Sequence, residues 1–359
     1  MLNTSKWLQN ASRSTNSPDE SCSSVVSSST FKLILYSLTG GLIVTTFLGN
    51  ILVITSIAYF KHLHSPTNSF VLSLAVADFL VGGLVMPFSM IRTIEGCWYF
   101  GSVLCRLHSS LDVMLCSASI LHLSCIAFDR YYAVCNPLLY SYKMSTRRVS
   151  VLICTCWVIP MLISFAPIML GLHLLGMEHL LQEGTCLFVV NHIYSVSASL
   201  ITFYCPMTIM FVAYCKIYRA ARKQALQIHD MKRNVTTQYG GDCSMKKRKY
   251  SLKRERKAAK TLGVIMGLFL FFWSPFFTAN IVDPLIGYKM GMVGWEVFLW
   301  LGYVNSALNP FLYGLLHKSY RRAFFMIIGC KTCYSATSLN IDLSSTKQEK
   351  VKRKTTDLH

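Results

Sequence analysis

Residues 104–137 read LCRLHSSLDVMLCSASILHLSCIAFDRYYAVCNP, a mostly apolar run of about thirty residues, long enough to cross a bilayer with tilt. Three polar features interrupt it: Cys105 in its first turn, Asp112 about two turns further, and Asp129-Arg130-Tyr131 at its far end. Asp112 and Arg130 are 18 residues apart. That is about five helical turns, so both side chains share one face, roughly 27 Å apart along the axis. A carboxylate near one membrane face and a guanidinium near the other, on one inward stripe, suggest a rod that links an outside event to an inside one. An ionisable group inside a spanning segment is costly and marks function by default. The bland alternative is an acid that pairs with a neighbouring helix for packing alone.

Composition widens this to the whole chain. Of 359 residues 53% are hydrophobic and 14% charged, and mean hydropathy is +0.42, which is a membrane protein's balance. The net charge of +19 would suit nucleic acid as a partner. Its distribution argues against that, because the basic residues fall in a few loops and the tail. Fourteen cysteines show no metal-site spacing. Cys116, Cys125, Cys135, Cys154, Cys156, Cys205 and Cys215 lie in apolar runs and read as small packing residues. The first thirty or so residues are polar and Ser-rich with no apolar core, so no cleavable signal peptide is expected.

Seven apolar spans are predicted, at about 33–60, 68–94, 102–135, 147–171, 191–218, 258–283 and 293–316. The fold class is therefore an all-α membrane protein, a seven-transmembrane helix bundle. Residues 1–32 form a disordered tail before the bundle at 33–316, with a basic connector at 219–257. A short amphipathic helix at 317–329 lies along the membrane interface, and a polar tail fills 330–359. Lys and Arg crowd the loops after spans one, three and five and the start of the tail, while the 172–190 loop has none. The amino terminus is therefore expected outside. Asn3 and Asn10 then become glycosylation sites, and Cys330 and Cys333 candidate palmitoylation sites.

Each span also carries a signature. Gly49-Asn50, Leu74-Ala75-Val76-Ala77-Asp78, Asp129-Arg130-Tyr131, Trp157, Pro206, Phe272-Trp273-Ser274-Pro275 and Asn309-Pro310-Phe311-Leu312-Tyr313 occur in order, one per span. In this the chain resembles the rhodopsin-like G-protein-coupled receptors over about 33–328. The resemblance implies a plasma-membrane receptor and not an enzyme. It implies that Asp78, Ser119, Asn305 and Asn309 converge to hold a sodium ion, with no other cofactor. Asp129, Arg130, Tyr131, Tyr214, Trp273, Pro275, Asn309, Pro310 and Tyr313 become switch residues, with Arg130, Pro137 and Leu138 meeting a heterotrimeric G protein. Arrestin, a receptor kinase and membrane lipids are the further partners. A disulfide between Cys105, heading span three, and Cys186, in the loop before span five, is expected on the oxidising side. Cys22 and Cys97 are also outside and could pair with each other, which the sequence does not fix.

Asp112 matches the amine-binding acid of the aminergic receptors. A carboxylate two turns inside, ringed by aromatics, suits a protonated amine through Coulomb attraction and cation–π contact. Val113 and Cys116 lie beside it, and Trp273, Phe276, Phe277, Trp300 and Tyr303 supply the ring. Ser199 and Thr202 face the ligand's far end or bond back to their own helix. Within this group the chain looks most like the trace amine-associated receptors, through Leu72–Gly101, Glu255–Phe269 and Ile281-Val282-Asp283-Pro284. It departs from them at His317-Lys318-Ser319-Tyr320 and in having only Cys186 in its second outer loop. That resemblance implies a stimulatory G protein, rising cyclic AMP and a role in olfaction. The alternatives are a serotonin- or histamine-type receptor, or a di- or polyamine sensor whose second ammonium meets Glu296, Asp283 or Glu183. A transporter lacks the expected repeats, and a membrane hydrolase lacks partners for His108 and His122 at ligand spacing.

Overall fold

The structure is a computed structural model and describes residues 28–177, 186, 188–235 and 242–329. Asn3, Asn10, Cys22, Glu183, Cys330 and Cys333 lie outside the described residues. The helices are α1 (Ser29–Tyr59), α2 (Pro66–Glu95), α3 (Gly101–Cys135), α4 (Thr146–Met169), α5, α6 (Asp242–Leu285), α7 (Met292–Leu316) and α8 (Lys318–Ile328). Helix α5 is continuous through His192–Ser199, a π turn at Leu200–Tyr204 and Cys205–Val235. A short helix, Pro137–Lys143, follows α3. Among the described residues there is no strand.

Six of the seven long helices are long and apolar enough to cross a membrane. Helix α7 also has the length, and Asn305, Ser306 and Asn309 punctuate it. All three are buried, so their polarity faces the bundle and not lipid. The same inversion runs through the fold. Leu38, Leu48, Val151, Leu162, Phe311 and Leu315 are exposed, whereas Asn50, Asp78, Ser119, His122 and Asn309 are buried. Helix α3 packs on α2, α4 and α5 and forms the centre of the bundle.

Local chemistry sets the ends. Ser65 caps α2 by accepting from the Asn68 amide at 3.2 Å, with Pro66 in the first turn where its missing N–H costs nothing. Gly96 ends α2 at φ 70°, a left-handed conformation that suits glycine. Within α2 a π turn, Val81–Val85, holds Gly82 and Gly83. Gly82 faces α1 so closely that a Cβ there would lie 3.2 Å from the Phe47 backbone nitrogen. Pro310 cannot donate to the carbonyl of Ser306, and Asn50 of α1 donates to that oxygen instead, at 3.2 Å.

Some bounds differ from expectation. Helix α1 begins at Ser29, inside the expected tail, and Lys32 in its first turn pairs with Glu95 of α2 at 2.7 Å. Within the 219–257 connector the chain is helical to Val235 and again from Asp242. Helix α8 buries Tyr320 and Ala323 and exposes Phe325 and Ile328, an amphipathic division.

Candidate ligand pocket and switch

A cavity of about 310 Å³ opens between α3, α5, α6 and α7 at the Cys105 end of the bundle. Cys105 is joined to Cys186 with Cα atoms 5.7 Å apart, and Cys186 with Phe188, Val189 and Val190 forms part of the cavity wall. Cys97 is buried and disulfide-bonded too.

Asp112 lines the cavity, with Val113 and Cys116 on the same face of α3. The Tyr303 hydroxyl donates to one carboxylate oxygen at 2.8 Å and the Cys116 thiol to the other at 3.3 Å. Tyr303 is fully buried, and its hydroxyl also lies 3.0 Å from Ser89 Oγ. This holds the carboxylate in place while leaving its charge, among the described residues, without a cationic partner in hydrogen-bond contact.

The expected aromatic ring is partly redistributed. Trp273, Phe276 and Phe277 line the cavity. Phe276 stands edge-on to Trp273 with centroids 6.0 Å apart, and Phe277 stacks on Phe203 at 4.5 Å. Trp300 and Tyr303 stand behind the wall: the Trp300 indole donates to Thr93 at 3.0 Å and its ring abuts Tyr303 at 5.4 Å. Phe188, Tyr194, Tyr288 and Trp295 complete the aromatic lining.

On α5, Ala198 and Ser199 just before the π turn and Thr202 within it line the cavity. Thr202 donates back to the Ala198 carbonyl at 2.8 Å. Ser199 accepts from the Asn280 side chain of α6 at 2.9 Å, and Ser195 donates to the Asn280 carbonyl. Asn280 lines the cavity as well, a residue the sequence reading missed. Glu296 is not a lone acid. Arg92 of α2 pairs with it at 3.3 Å and Thr93 donates to it at 2.6 Å. Two opposite charges near the same ends of two spans were the signal for that pair.

Below the cavity, fully buried Asp78 accepts from Ser119 at 2.9 Å, Ser306 at 2.8 Å and Asn309 at 2.7 Å. Asn305 makes no hydrogen bond to it, and its amide nitrogen is buried without a hydrogen-bond partner among the described residues. Ser306, one residue on, takes its place because it shares a helical face with Asn309, three residues away.

At the opposite end Arg130 pairs with buried Asp129 at 2.6 Å. Thr67 of α2 donates to Asp129 at 2.6 Å, Tyr140 of the short helix donates at 2.9 Å, and Arg130 also bonds Thr67. Thr67 and Tyr140 were not legible as members of this site. Tyr131 of the same motif faces Lys216 of α5, whose ammonium lies 5.3 Å from its ring centroid. Pro137 starts the short helix and Leu138 is 97% exposed, free to meet a partner. Tyr313 stacks on Tyr320 of α8 at 5.6 Å, while Tyr214 packs against Gly263 of α6, so the two tyrosines are held apart. Pro275 and Pro310 lie inside α6 and α7, each removing a backbone bond where a helix can flex.

A seven-helix bundle with a polar core, an enclosed pocket at one end and a closed arginine pair at the other is the architecture of a membrane receptor. Residues 49–313 match the model of the 7 transmembrane receptor (rhodopsin family), and the chain belongs to that family. It is a receptor and not an enzyme. The chain is 44% identical to mouse trace amine-associated receptor 4 over 298 residues, 82% of this chain and 84% of the relative. It is 44% identical to trace amine-associated receptor 1 of Macaca mulatta over 299 residues, 82% and 87% of the two chains. Human 5-hydroxytryptamine receptor 4 is 42% identical over 311 residues, 83% and 80% of the two.

Proposed function

We propose that this protein is a receptor for a small protonated amine that signals through a heterotrimeric G protein. One observation carries the reading: the Asp112 carboxylate, steadied by Tyr303 and Cys116, faces a cavity walled by Trp273, Phe276 and Phe277. An ammonium there gains a charge-assisted contact in a poorly screened site and aromatic faces on its other side. Receptors of similar sequence are named for trace amines and for 5-hydroxytryptamine, which agrees with this chemistry.

Binding at Asp112 draws α3, α6 and α7 together around Trp273 and shifts the population of a bistable bundle. Opening of the Arg130 end then presents Arg130, Pro137 and Leu138 to the G protein. The stimulatory class, raising cyclic AMP, and a role in olfaction follow the trace-amine resemblance, as do arrestin and receptor-kinase partners. The receptor acts in the plasma membrane with its amino terminus outside, glycosylated at Asn3 and Asn10 and palmitoylated at Cys330 and Cys333.

The cluster around Asp78 fits a sodium ion. Among the described residues the carboxylate accepts from neutral donors only, and Ser119 and Ser306 offer hydroxyl oxygens beside it. Sodium would supply the missing positive charge and tie α2, α3 and α7 in the resting state.

A 5-hydroxytryptamine-type ligand is the second reading. The Ser199–Asn280 pair favours it, because it offers a polar grip to an indole or hydroxyl at the cavity wall. The test is cyclic AMP in cells carrying wild type or Asp112→Ala, challenged with a panel of monoamines, indoleamines and diamines. Loss of the response in a mutant that still reaches the surface supports the reading. An equal response in the mutant ends it.

A further inference from the structure

His108 stands on α3 one turn before Asp112, outside the cavity lining. It is 2% exposed and held between Trp98 and Phe88, with ring centroids 5.4 and 6.1 Å away. Its Nε2 lies 3.2 Å from the Val85 carbonyl oxygen and 3.3 Å from Ser89 Oγ, both on α2. A carbonyl oxygen only accepts, so Nε2 carries the proton. The same answer comes from the other end. A carboxylate only accepts, so Tyr303 spends its single proton on Asp112 at 2.8 Å. Ser89, 3.0 Å from the Tyr303 oxygen, must then donate to it, and Ser89 Oγ can meet His108 only as an acceptor. Both ends agree. His108 donates to Ser89, Ser89 to Tyr303 and Tyr303 to Asp112, three donors pointing one way.

Resting on the amine reading above, we propose that His108 is a positioning residue for the ammonium, acting through Ser89 and Tyr303 on the Asp112 carboxylate. The chain of donors leaves α3, crosses α2 and α7 and returns to α3 one turn further on, so it ties the carboxylate to three helices. Ser89 shows why the far end matters. A helical serine commonly donates back to the carbonyl four residues earlier, which for Ser89 is Val85. His108 occupies that carbonyl and a lone pair of Ser89 at once, which turns the serine proton toward Tyr303. Without the imidazole donor the Ser89 hydroxyl can swing back to Val85. Tyr303 then loses the donor that polarises its own O–H toward Asp112, the carboxylate turns more freely, and an ammonium meets it in more than one orientation. The Nδ1 of His108 is buried without a hydrogen-bond partner among the described residues, so the effect rests on Nε2 alone.

The experiment varies the donor at position 108. His108→Gln places an amide N–H near the Nε2 position, whereas His108→Leu keeps bulk and removes the donor. His108→Asn, whose amide reaches only the Nδ1 position, makes the same removal with a polar side chain should the leucine variant fold poorly. The readout is protection of the purified full-length receptor from heat by 2-phenylethylamine and by 5-hydroxytryptamine, a binding measurement independent of signalling. His108→Leu and His108→Asn should need roughly fivefold more of either amine, the scale of one neutral hydrogen bond, and His108→Gln should stay within about twofold of wild type. In a Ser89→Ala background the chain is already cut, so His108→Leu should cause no further loss, whereas a packing role would add its own. A glutamine variant as weak as the leucine one, or an undiminished loss in Ser89→Ala, overturns the proposal. So does full amine protection in every position-108 variant. Protection that Asp112→Asn abolishes would leave the amine reading standing in each of these cases. If neither amine protects the wild type, both fall.

Discussion

Gly302 of α7 lies against the indole of Trp273 of α6, so close that a Cβ on Gly302 would come within 2.8 Å of the ring. Trp273 is 2% exposed, boxed by Phe276 and Phe277, with its ring nitrogen buried and, among the described residues, without a hydrogen-bond partner. The ring that forms the floor of the pocket therefore packs against a position with room for a glycine and no side chain.

Gly302→Ala should push the indole into Phe277 or force α6 from α7, an overpacking cost of about 1–3 kcal/mol. The expected result is a lower thermal midpoint of the purified receptor and a weaker amine response. Trp273→Phe in the same background should recover part of the lost thermal stability, because a smaller ring clears the methyl group. A Gly302→Ala receptor as stable as wild type would show that the ring yields freely.

Tyr303→Phe should cost amine potency without loss of surface expression. The phenol donates to Asp112 and lies beside Ser89, and its removal leaves the carboxylate held by a thiol alone. A lost hydrogen bond to a charged group is worth about 1.5–3 kcal/mol, or at least roughly tenfold in the half-maximal concentration. Ser89→Ala touches only the phenol's other contact and should shift potency less. Equal shifts would mean that Tyr303 acts by packing.

These two sites mark how far the sequence could be read. The spans were legible because apolar runs and basic loops state them directly, and Asp112, Asp78 and Arg130 announced themselves as charges in apolar surroundings. Their partners were legible in part: Ser119 and Asn309 follow from the motif pattern and do bond Asp78, whereas Thr67 and Tyr140 at Asp129 carry no such signal. Which residue of a turn faces Asp78 depends on the rotation of α7, and it is Ser306, with Asn305 left out. The π turn in α2 resets the faces of everything beyond it, so the directions of Arg92 and Thr93 do not follow from ideal helical spacing. Tyr140 reaches Asp129 only because the chain after Pro137 coils back as a helix.

Tyr140→Phe should raise the basal signal. Asp129 accepts from Arg130, Thr67 and Tyr140, and each donor helps keep the acid anchored and the arginine beside it. Loss of one of three, at about 1 kcal/mol, changes a resting equilibrium severalfold. Basal cyclic AMP normalised to surface expression is the measurement, and Thr67→Ala should act in the same direction. Unchanged basal activity in both would mean that the pair does not restrain the resting state.

Asp78→Asn should abolish the dependence of amine affinity on sodium. In wild type, added sodium should weaken amine binding relative to potassium at equal ionic strength, because the ion stabilises the resting bundle. The asparagine keeps a carbonyl acceptor for Ser119, Ser306 or Asn309 but not the charge that holds the cation. A sodium effect that survives in the mutant would put the ion elsewhere.

His173 gives the fold a pH dependence at the Cys105 end. It lies in the turn after α4, 5% exposed and stacked on Phe188 with centroids 5.7 Å apart, and its Nδ1 is 3.2 Å from the Pro167 carbonyl. Burial holds its pKa below the ordinary histidine value, so the folded state favours the neutral ring. The sign follows. Its contribution is present above the unfolded pKa of about 6.5 and is lost as pH falls through the lower folded value, because only the unfolded chain takes up the proton readily. Phe188 walls the cavity beside Cys186, so loosening this turn should loosen that part of the pocket wall as well as lower stability. The thermal midpoint of the purified receptor should therefore drop between about pH 7 and pH 5, and His173→Phe, which keeps the stacking and removes the titrating ring, should flatten part of that drop. An identical pH profile in the mutant would assign the acid sensitivity to other groups.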